Sequence, residues 1–198
     1  SYSLIHDDLP CMDDDDYRRG RLSTHKKYNE AQAILAGNSL LTMAFNLLSQ
    51  DSSQLLVKLL SELSGYEGLA GGQSLDIDTI KKKLNYKLID KIHDLKTARL
   101  FEFCVAAPFI ISNKTKQEIK VSRNYGKIIG KVFQIIDDIH DYENKSNEYI
   151  NILNIITKDE ALKRCYDYEI EADSLRKKII PNKKNRMKDI LSFIINRK

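Results

Sequence analysis

The chain has 198 residues, of which 42% are hydrophobic and 30% charged, so one domain with a sizeable core is expected. Its 32 basic and 28 acidic residues leave a net charge of +4, a balance that argues against a nucleic-acid-binding protein. Three scattered cysteines without metal-ligand spacing argue against a disulfide framework and favour a cytoplasmic protein.

The first five residues begin in the middle of an apolar element, without an initiator Met or a helix cap. We therefore expect the natural protein to carry a further N-terminal part. No basic segment followed by an apolar one marks a signal peptide. No uncharged apolar run approaches the ~18–20 residues of a membrane span, so none is expected.

The segment His6–Gly20 is the most unusual stretch of the chain. It holds six carboxylates within ten residues, and Arg18 and Arg19 follow them directly. Burying an ionised carboxylate without partners costs several kcal/mol. These acids are therefore expected either on a solvated face or around divalent cations.

Spacing within this segment depends on Pro10. On a regular helix Asp7 and Asp13, six positions apart, would lie on different sides. Pro10 clashes with the carbonyl of His6, however, so a helix ends or bulges there and Asp13 can return beside Asp7. An EF-hand loop is the rival interpretation, but its Gly and terminal Glu are absent at the required offsets.

The rest of the chain predicts helices. It contains only three prolines and eight glycines, and apolar residues recur at intervals of three and four without sustained alternation. The predicted helices are residues 30–48, 55–63 (N-cap in 51–53), 84–111 (kinked or broken at Pro108), 118–141, 150–165 and 170–197 (interrupted near Pro181). The fold class is therefore all-α, in a single domain over residues 1–198.

A second acid cluster lies at the end of the most apolar predicted helix. Asp137 and Asp141 are four residues apart, so their carboxylates project from one face about one turn apart. This arrangement suits Mg²⁺, which takes oxygen ligands and often shares them with substrate phosphates. Asp138 points round the helix as a neighbouring group. A solvated helix end remains the alternative.

Two adjacent arginines beside an acid cluster indicate a diphosphate site. Planar guanidinium groups bind phosphate through two parallel hydrogen bonds, whereas clustered carboxylates attract cations. Arg18 and Arg19 therefore predict contacts to a metal-bridged diphosphate. A salt-bridge network of the same composition remains the alternative.

At this point the sequence resembles a known family. DDLPCMDDDDYRRG (7–20) is similar to the first aspartate-rich motif of the trans-isoprenyl diphosphate synthases, and FQIIDDIHD (133–141) to the second. Four further segments match in the same order: THKKYNEAQAILAGNSLLTMAF (24–45), GGQSLDI (71–77), Lys96-Thr97 and DILSFIINRK (189–198). The resemblance implies an isoprenoid-synthase-type helical bundle around a central cavity, here without its N-terminal helices, and one polyprenyl synthase domain.

The resemblance also implies a metal centre. It predicts three Mg²⁺ ions, for which Mn²⁺ can substitute. By the family pattern, the first motif ligates two ions and the second motif a third. The residues concerned are Asp7, Asp13 and Asp137 as ligands, with Asp8, Asp138 and Asp141 in support.

Substrate contacts follow from the same resemblance. It implies that Arg18 and Lys96 bind an allylic diphosphate and that Arg19 binds the homoallylic one. Thr97 and Gln134 would lie near the ionising C–O bond and, with Lys96, form the catalytic set. The GGQSLDI segment lines the cavity in this family, and close helix packing explains its glycines equally well.

The implied product is farnesyl diphosphate, made from isopentenyl diphosphate and dimethylallyl or geranyl diphosphate. In this family, residues before the first motif limit product length. Tyr2 lies five positions ahead of Asp7, where a bulky ring would form the pocket floor. Together with the two extra residues inside the motif, Tyr2 favours a bacterial-type farnesyl diphosphate synthase, which the resemblance implies to be a homodimer.

Two departures keep other functions open. The family's Gly-Lys-x-x-Arg motif for isopentenyl diphosphate precedes its first aspartate-rich motif, and residues 1–6 do not contain it. The flap after Asp141 is short, and Lys145 is the only candidate for its lysines. Two alternatives therefore remain. One is a geranylgeranyl diphosphate synthase, and the other is a weakly active or non-catalytic homologue acting as a partner subunit.

Overall fold

A computed structural model describes residues 1–50, 54–79, 83–144, 150–180 and 186–197. The chain divides into two compact units, residues 1–57 and residues 58–198. Each unit is described by itself below. The expectation of a single domain stays a prediction.

The elements of the first unit are helices around one short hairpin. They are α1 (Tyr2–Asp7), β1 (Tyr17–Arg18), β2 (Arg21–Leu22), α2 (Thr24–Lys27) and α3 (Glu30–Ser49). The α3 helix begins where the Asn29 side chain accepts a hydrogen bond from Gln32 N at 2.8 Å. The α1 helix packs on α3 at Gly37, where a Cβ atom would lie 2.1 Å from His6 Nε2.

The hairpin between β1 and β2 is a tight two-residue turn. Arg18 pairs with Arg21 in antiparallel register, leaving Arg19 and Gly20 as the loop. Both loop residues have positive φ, 55° and 74°, as a type I′ turn requires. Ser23 N donates to Asp16 O at 2.9 Å and closes the base of the hairpin. The arginines predicted to bind diphosphate therefore lie in and beside this turn.

The remaining elements are helical, and α4 crosses the boundary between the units. They are α4 (Gln54–Ser64), α5 (Leu69–Thr79), α6 (Tyr86–Ile92), a π-helical segment (His93–Ala98), α7 (Arg99–Ile111), α8 (Lys116–Asn144), a 3₁₀ turn (Ile152–Asn154), α9 (Lys158–Ile179) and α10 (Met187–Ile195). Apart from the two-residue strands, the described residues contain no sheet. The all-α prediction is confirmed.

The α8 helix is the centre of the second unit. One face is buried along most of its length, and it packs on α7 and on α9. Full burial of each branched side chain stabilises the fold by about 1.5–3 kcal/mol. Gly126 and Gly130 let α8 approach its neighbours closely, since Cβ atoms there would lie 2.7 Å from Phe101 O and 2.4 Å from Ala98 Cα.

Two predicted helix boundaries in the C-terminal part are wrong. In place of the helices predicted at 150–165 and 170–197, the structure has a 3₁₀ turn, the single helix α9 and the shorter helix α10. A capping box fixes the start of α9, because Thr157 and Glu160 each accept from the other's backbone N–H. No Gly or Pro interrupts residues 165–170, so α9 continues through them. The predicted break near Pro181 lies outside the described residues.

The predicted helix over 84–111 differs in detail. Its C-terminal end at Ile111 is confirmed, and Pro108 lies inside α7 without ending it. Residues 93–98 form a π-helical segment, which the apolar spacing did not predict. The N-cap proposed for α4 in residues 51–53 lies outside the described residues.

By length and apolar composition, one described helix could cross a membrane. This helix is α3, Glu30–Ser49. Core helices of water-soluble proteins pass the same test, and so do signal sequences. Length and composition alone therefore do not assign α3 to a membrane.

Alkaline pH should destabilise the fold through Cys165. Burial in the core raises the pKa of its thiol to about 12, whereas an unfolded thiol titrates near ~8.5. The unfolded state therefore loses this proton first, so stability is full below about pH 8.5 and falls as the pH rises towards 12. Urea unfolding at pH 7 and pH 10 measures the loss. Cys165→Ala should show a smaller loss, and an equal loss in both proteins would contradict the assignment.

Candidate active site

The first acidic motif folds into a turn directly after α1. The helix ends at Asp7, three residues before Pro10. Asp13 N then donates to Asp7 O at 2.9 Å, so the chain returns to the end of α1. The predicted break at Pro10 and the return of Asp13 beside Asp7 are confirmed. This backbone bond places Asp7 and Asp13 side by side, and their binding of a cation through both carboxylates stays a prediction.

Asp8 is a buried anchor for Arg18. Its side chain is 3% exposed, and its Oδ1 accepts from Arg18 Nε at 2.8 Å and from Nη2 at 2.5 Å. Arg18 Nη2 also donates to Asp15 Oδ2 at 3.1 Å. Burial opposes the charge of Arg18, but Asp8 and Asp15 raise the pKa of its guanidinium. Asp8 therefore positions Arg18, and its role in metal binding stays a prediction.

Arg19 differs from Arg18 in its surroundings. It is exposed at the tip of the hairpin, with a φ of 55°. Asn and Asp are the non-glycine residues that most often adopt this left-handed region, so an arginine here is held by the turn. The predicted contact between Arg19 and the homoallylic diphosphate stays a prediction.

The second motif lies near the C-terminal end of α8, where Asp137 pairs with Arg197. Arg197 Nη2 donates to Asp137 Oδ1 at 2.5 Å, and its guanidinium lies 4.2 Å from the centre of the Phe133 ring. Burial raises the pKa of the Asp137 carboxyl above its ordinary value, although Arg197 partly opposes this. A cation bound by Asp137 would therefore share or replace the Arg197 contact.

Asp138 links α8 to neighbouring segments through hydrogen bonds. Its Oδ1 accepts from Gln134 Nε2 at 2.9 Å, and its Oδ2 accepts from Ile152 N at 2.8 Å. His93 Nε2 lies 3.1 Å from the same Oδ2, and Asn151 Nδ2 donates to the Asp138 carbonyl at 2.7 Å. Both carboxylate oxygens of Asp138 therefore have hydrogen-bond donors, and the residue positions the second motif. This position is compatible with the supporting role predicted for Asp138.

The side chains of Thr97 and Gln134 are in contact, although the two residues are 37 positions apart in sequence. Thr97 Oγ1 donates to Gln134 Oε1 at 2.6 Å, and Gln134 in turn donates to Asp138. Thr97 belongs to the π-helical segment, a feature often found at functional sites. The predicted catalytic pair is therefore assembled and continuous with the second motif.

Lys96 lies beside the GGQ segment. Its Nζ donates to Asp76 Oδ2 at 2.6 Å. Gly72 permits this approach, because a Cβ atom there would lie 2.3 Å from Lys96 N. Gln73 is 6% exposed, and neither amide atom has a hydrogen-bond partner among the described residues. A buried, unsatisfied amide usually marks a place where a ligand or water binds.

Two further predicted residues complete the set. Tyr2 lies on α1 and is half-buried, with its ring edge-to-face on His6 at 6.4 Å between centroids. Its role as pocket floor stays a prediction. Asp141 lies on α8 one turn after Asp137, as predicted. Lys145 and the segment after α8 lie outside the described residues.

Some residues of this region were not predicted. His93 lies one turn before Thr97, and its position on an apolar helix was the only available signal. Asn151 contacts Asp138 from another element, and no sequence pattern marks it. Both hold Asp138, so they position the second motif.

Comparison with known proteins identifies the family. Residues 1–161 match the family model described as Polyprenyl synthetase, well over half of the chain. The chain belongs to the polyprenyl synthetase family. Its predicted membership, and the isoprenoid-synthase architecture that goes with it, are confirmed.

Several relatives of this polyprenyl synthetase chain are named by their activity. It is 42% identical over 156 residues to a farnesyl diphosphate synthase of Bacillus subtilis (strain 168), covering 75% of this chain and 53% of that protein. It is 36% identical over 217 residues to one of Micrococcus luteus, covering 100% and 73%. The chain thus spans about half the length of the Bacillus protein.

A solved structure supports the same fold. It is a geranyltransferase of Helicobacter pylori, described as complexed with magnesium and isoprenyl diphosphate. The TM-score is 0.80 at 29% identity, over 98% of this chain and 69% of that one. The carboxylates of this polyprenyl synthetase chain are the oxygen donors that Mg²⁺ prefers, so its own residues fit such an ion.

Proposed function

We propose that the protein is a short-chain prenyltransferase that condenses isopentenyl diphosphate with dimethylallyl or geranyl diphosphate to give farnesyl diphosphate. The observation that carries this proposal is the continuous contact from Thr97 through Gln134 to Asp138 in the second motif. The turn that returns Asp13 to Asp7 supports it independently. The names of the relatives point to the same reaction.

Each aspartate-rich motif supplies carboxylates for Mg²⁺ in this proposal. Asp7 and Asp13 would hold Mg²⁺ in the first motif, and Asp137 with Asp141 in the second. We propose that three Mg²⁺ ions bind in total and that Mn²⁺ can replace them. The bound Mg²⁺ would neutralise negative charge on the leaving diphosphate.

Basic residues of the chain would bind the two diphosphates. Lys96 and Arg18 are proposed for the allylic diphosphate and Arg19 for the homoallylic one. Asp76 and Asp8 hold the first two in place, so these cations are already oriented before substrate arrives. Preorganised charge of this kind stabilises the transition state because no reorganisation is needed during reaction.

Carbocation chemistry also needs a dry and shaped pocket. The Thr97 hydroxyl is directed at Gln134, which places two polar groups at a fixed position beside the second motif. We propose that their oxygen atoms face the cationic carbon formed when the C–O bond breaks. We propose that apolar residues of α8 form one wall of this pocket and keep water out of it.

A product assay tests this function. The 198-residue chain, and any longer product of its gene, is incubated with Mg²⁺, isopentenyl diphosphate and labelled geranyl diphosphate. A C15 product that disappears on chelation of the metal supports the proposal, whereas a C20 product supports a geranylgeranyl diphosphate synthase. Binding of geranyl diphosphate without any product would overturn the proposal in favour of a non-catalytic partner subunit.

Shortening Tyr2 should lengthen the product. If its ring limits chain growth, Tyr2→Ala opens the space beyond it and allows a further addition of isopentenyl diphosphate. Chromatography of the products should show C20 beside C15, and Tyr2→Phe should keep C15. C15 as the sole product of Tyr2→Ala would show that Tyr2 is not the floor.

We propose that the protein forms a homodimer through α3. Four large apolar residues on this helix are at least 45% exposed: Ile34, Leu35, Met43 and Leu47. A second copy would remove this surface from water, which favours association. Sedimentation of Leu35→Glu/Leu47→Glu should show monomer, with Gln32→Glu as the matched surface control. A parent protein that is monomeric at tens of micromolar would contradict the dimer.

A soluble, cytoplasmic location is also proposed. All three cysteines, Cys11, Cys104 and Cys165, are free thiols. Free thiols suit a reducing compartment. Fractionation of cells, with the protein recovered in the high-speed supernatant, checks this location.

A further inference from the structure

We propose that Asp14, Asp16 and His25 form a binding site for a first-row transition-metal dication at the base of the β1–β2 hairpin. One ligand atom from each residue lies within 4.8 Å of the others. This set contains an imidazole, unlike the all-carboxylate sets proposed for Mg²⁺ (Asp7 with Asp13, and Asp137 with Asp141). The proposal does not depend on the prenyltransferase activity.

The observation that singles out this cluster is the state of His25. The residue is 7% exposed, yet its buried Nε2 has no hydrogen-bond partner among the described residues. The closest acidic oxygen, Asp14 Oδ1, is 3.9 Å away, which is too far for a hydrogen bond. A buried nitrogen 3.9 Å from one carboxylate oxygen, in a cluster whose ligand atoms all lie within 4.8 Å, has space for an ion beside it.

Ser23 prepares the imidazole for metal binding. Its Oγ lies 3.1 Å from His25 Nδ1, and Ser23 is 2% exposed. When Nδ1 carries the proton it donates to this oxygen, and Nε2 then presents its lone pair to Asp14 and Asp16. A histidine that ligates a metal almost always donates its other ring N–H in this way.

The two carboxylates can adjust to an ion. Their side chains are 61% and 58% exposed for Asp14 and Asp16, whereas the ring of His25 is fixed. Metal–ligand bonds of about 2.0–2.2 Å require ligand atoms about 3.3–3.6 Å apart in a tetrahedral site. Rotation of the exposed acids provides this contraction. Lys26, which pairs with Asp16 at 2.8 Å, is itself exposed and can move into water.

Ligand type decides which ion binds. Imidazole nitrogen suits Zn²⁺, Co²⁺ and Fe²⁺, whereas Mg²⁺ prefers oxygen ligands alone. Millimolar Mg²⁺ should therefore occupy the aspartate-rich motifs without displacing an ion from His25. This difference allows the two kinds of site to be measured separately.

The location of the site gives it a structural consequence. Asp14 and Asp16 precede β1, and His25 follows β2, so a bound ion would link both ends of the hairpin. Arg18 and Arg19 lie between these ends. The ion would therefore restrict opening of the segment that carries both arginines.

Metal titration tests the proposal. Metal-free protein in millimolar Mg²⁺ is titrated with Co²⁺ and followed by visible absorption. One Co²⁺ should bind per chain. Asp14→Asn, Asp16→Asn and His25→Gln should each weaken binding at least about tenfold, since even outer partners of such ligands change affinity by 10–100-fold. Asp15→Asn, a neighbouring acid outside the cluster, is the matched control.

Two further measurements exclude simpler explanations. X-ray absorption of the Zn²⁺-loaded protein should show one imidazole among oxygen ligands. Zn²⁺ should slow trypsin cleavage at the hairpin arginines in the parent protein and not in Asp14→Asn, whose exposed side chain is not needed for folding. Absence of Co²⁺ binding, binding unchanged by His25→Gln and Asp14→Asn, or equal loss in Asp15→Asn would overturn the proposal.

Discussion

Replacing Asp13 with Asn should lower kcat/KM for prenyl transfer by about 10³-fold, the upper range for loss of one group that stabilises transition-state charge. The substitution keeps the size of the side chain but removes the negative charge that would hold Mg²⁺ beside Asp7. Because Asp13 is exposed, the fold should be unaffected. Steady-state kinetics with geranyl diphosphate and excess Mg²⁺ measure the effect, and thermal unfolding checks the fold.

Asp137→Asn should show a loss of similar size if the two motifs act together. Asp78→Asn serves as the control, because Asp78 is an exposed acid on α5 outside both motifs. Raising Mg²⁺ should partly restore activity in the motif variants through weakened but remaining ligands. If Asp13→Asn retained activity within tenfold of the parent, the assignment of Asp13 as a metal ligand would be wrong.

Glu102→Ala should cost about 3 kcal/mol of stability, the lower end of the ~3–5 kcal/mol for breaking a buried ion pair. Glu102 is completely buried on α7. Its carboxylate accepts from Arg123 at 2.5 Å and from Arg99 at 3.3 Å, with Lys127 Nζ 3.7 Å away. Removing it leaves three cations facing one another. These cations are partly exposed, so water relieves some of the cost.

Urea unfolding of the Glu102 variants measures this loss. Glu102→Gln keeps the volume and some hydrogen bonding, and should lose less stability than Glu102→Ala. Glu62→Ala removes one partner of an exposed pair with Lys58 and should change stability by less than about 0.5 kcal/mol. Equal stability in Glu102→Ala and Glu62→Ala would mean that the buried cluster contributes nothing.

The sequence predicted the first motif well because its geometry is local. Pro10 prevents a regular helix by steric conflict within four residues, so the return of Asp13 to Asp7 follows from neighbouring residues alone. The helices α3 and α8 could be predicted equally well, because each depends on the spacing of apolar residues along one segment.

Contacts between distant segments were much harder to predict. Glu102 lies in an apolar run, and its partners Arg123 and Lys127 follow 21 and 25 residues later, so no local pattern marks the cluster. Asp138 is similar, because Asn151 reaches it from beyond α8. The predicted boundaries of α9 were wrong for another reason. The capping box at Thr157 starts the helix there, although the apolar pattern begins earlier in the sequence.

The π-helical segment His93–Ala98 makes this part of the chain sensitive to the loss of a single residue. A π turn holds about one residue more than an α turn, and each α-helical residue turns the chain by about 100°. Deleting a single residue here would restore regular α-helix. The same deletion would change which side of the helix the neighbouring residues face. Either Lys96 and Thr97 would turn away from Asp76 and Gln134, or Glu102 would turn away from Arg123. A one-codon deletion between residues 93 and 98 should therefore be more damaging than most single substitutions there.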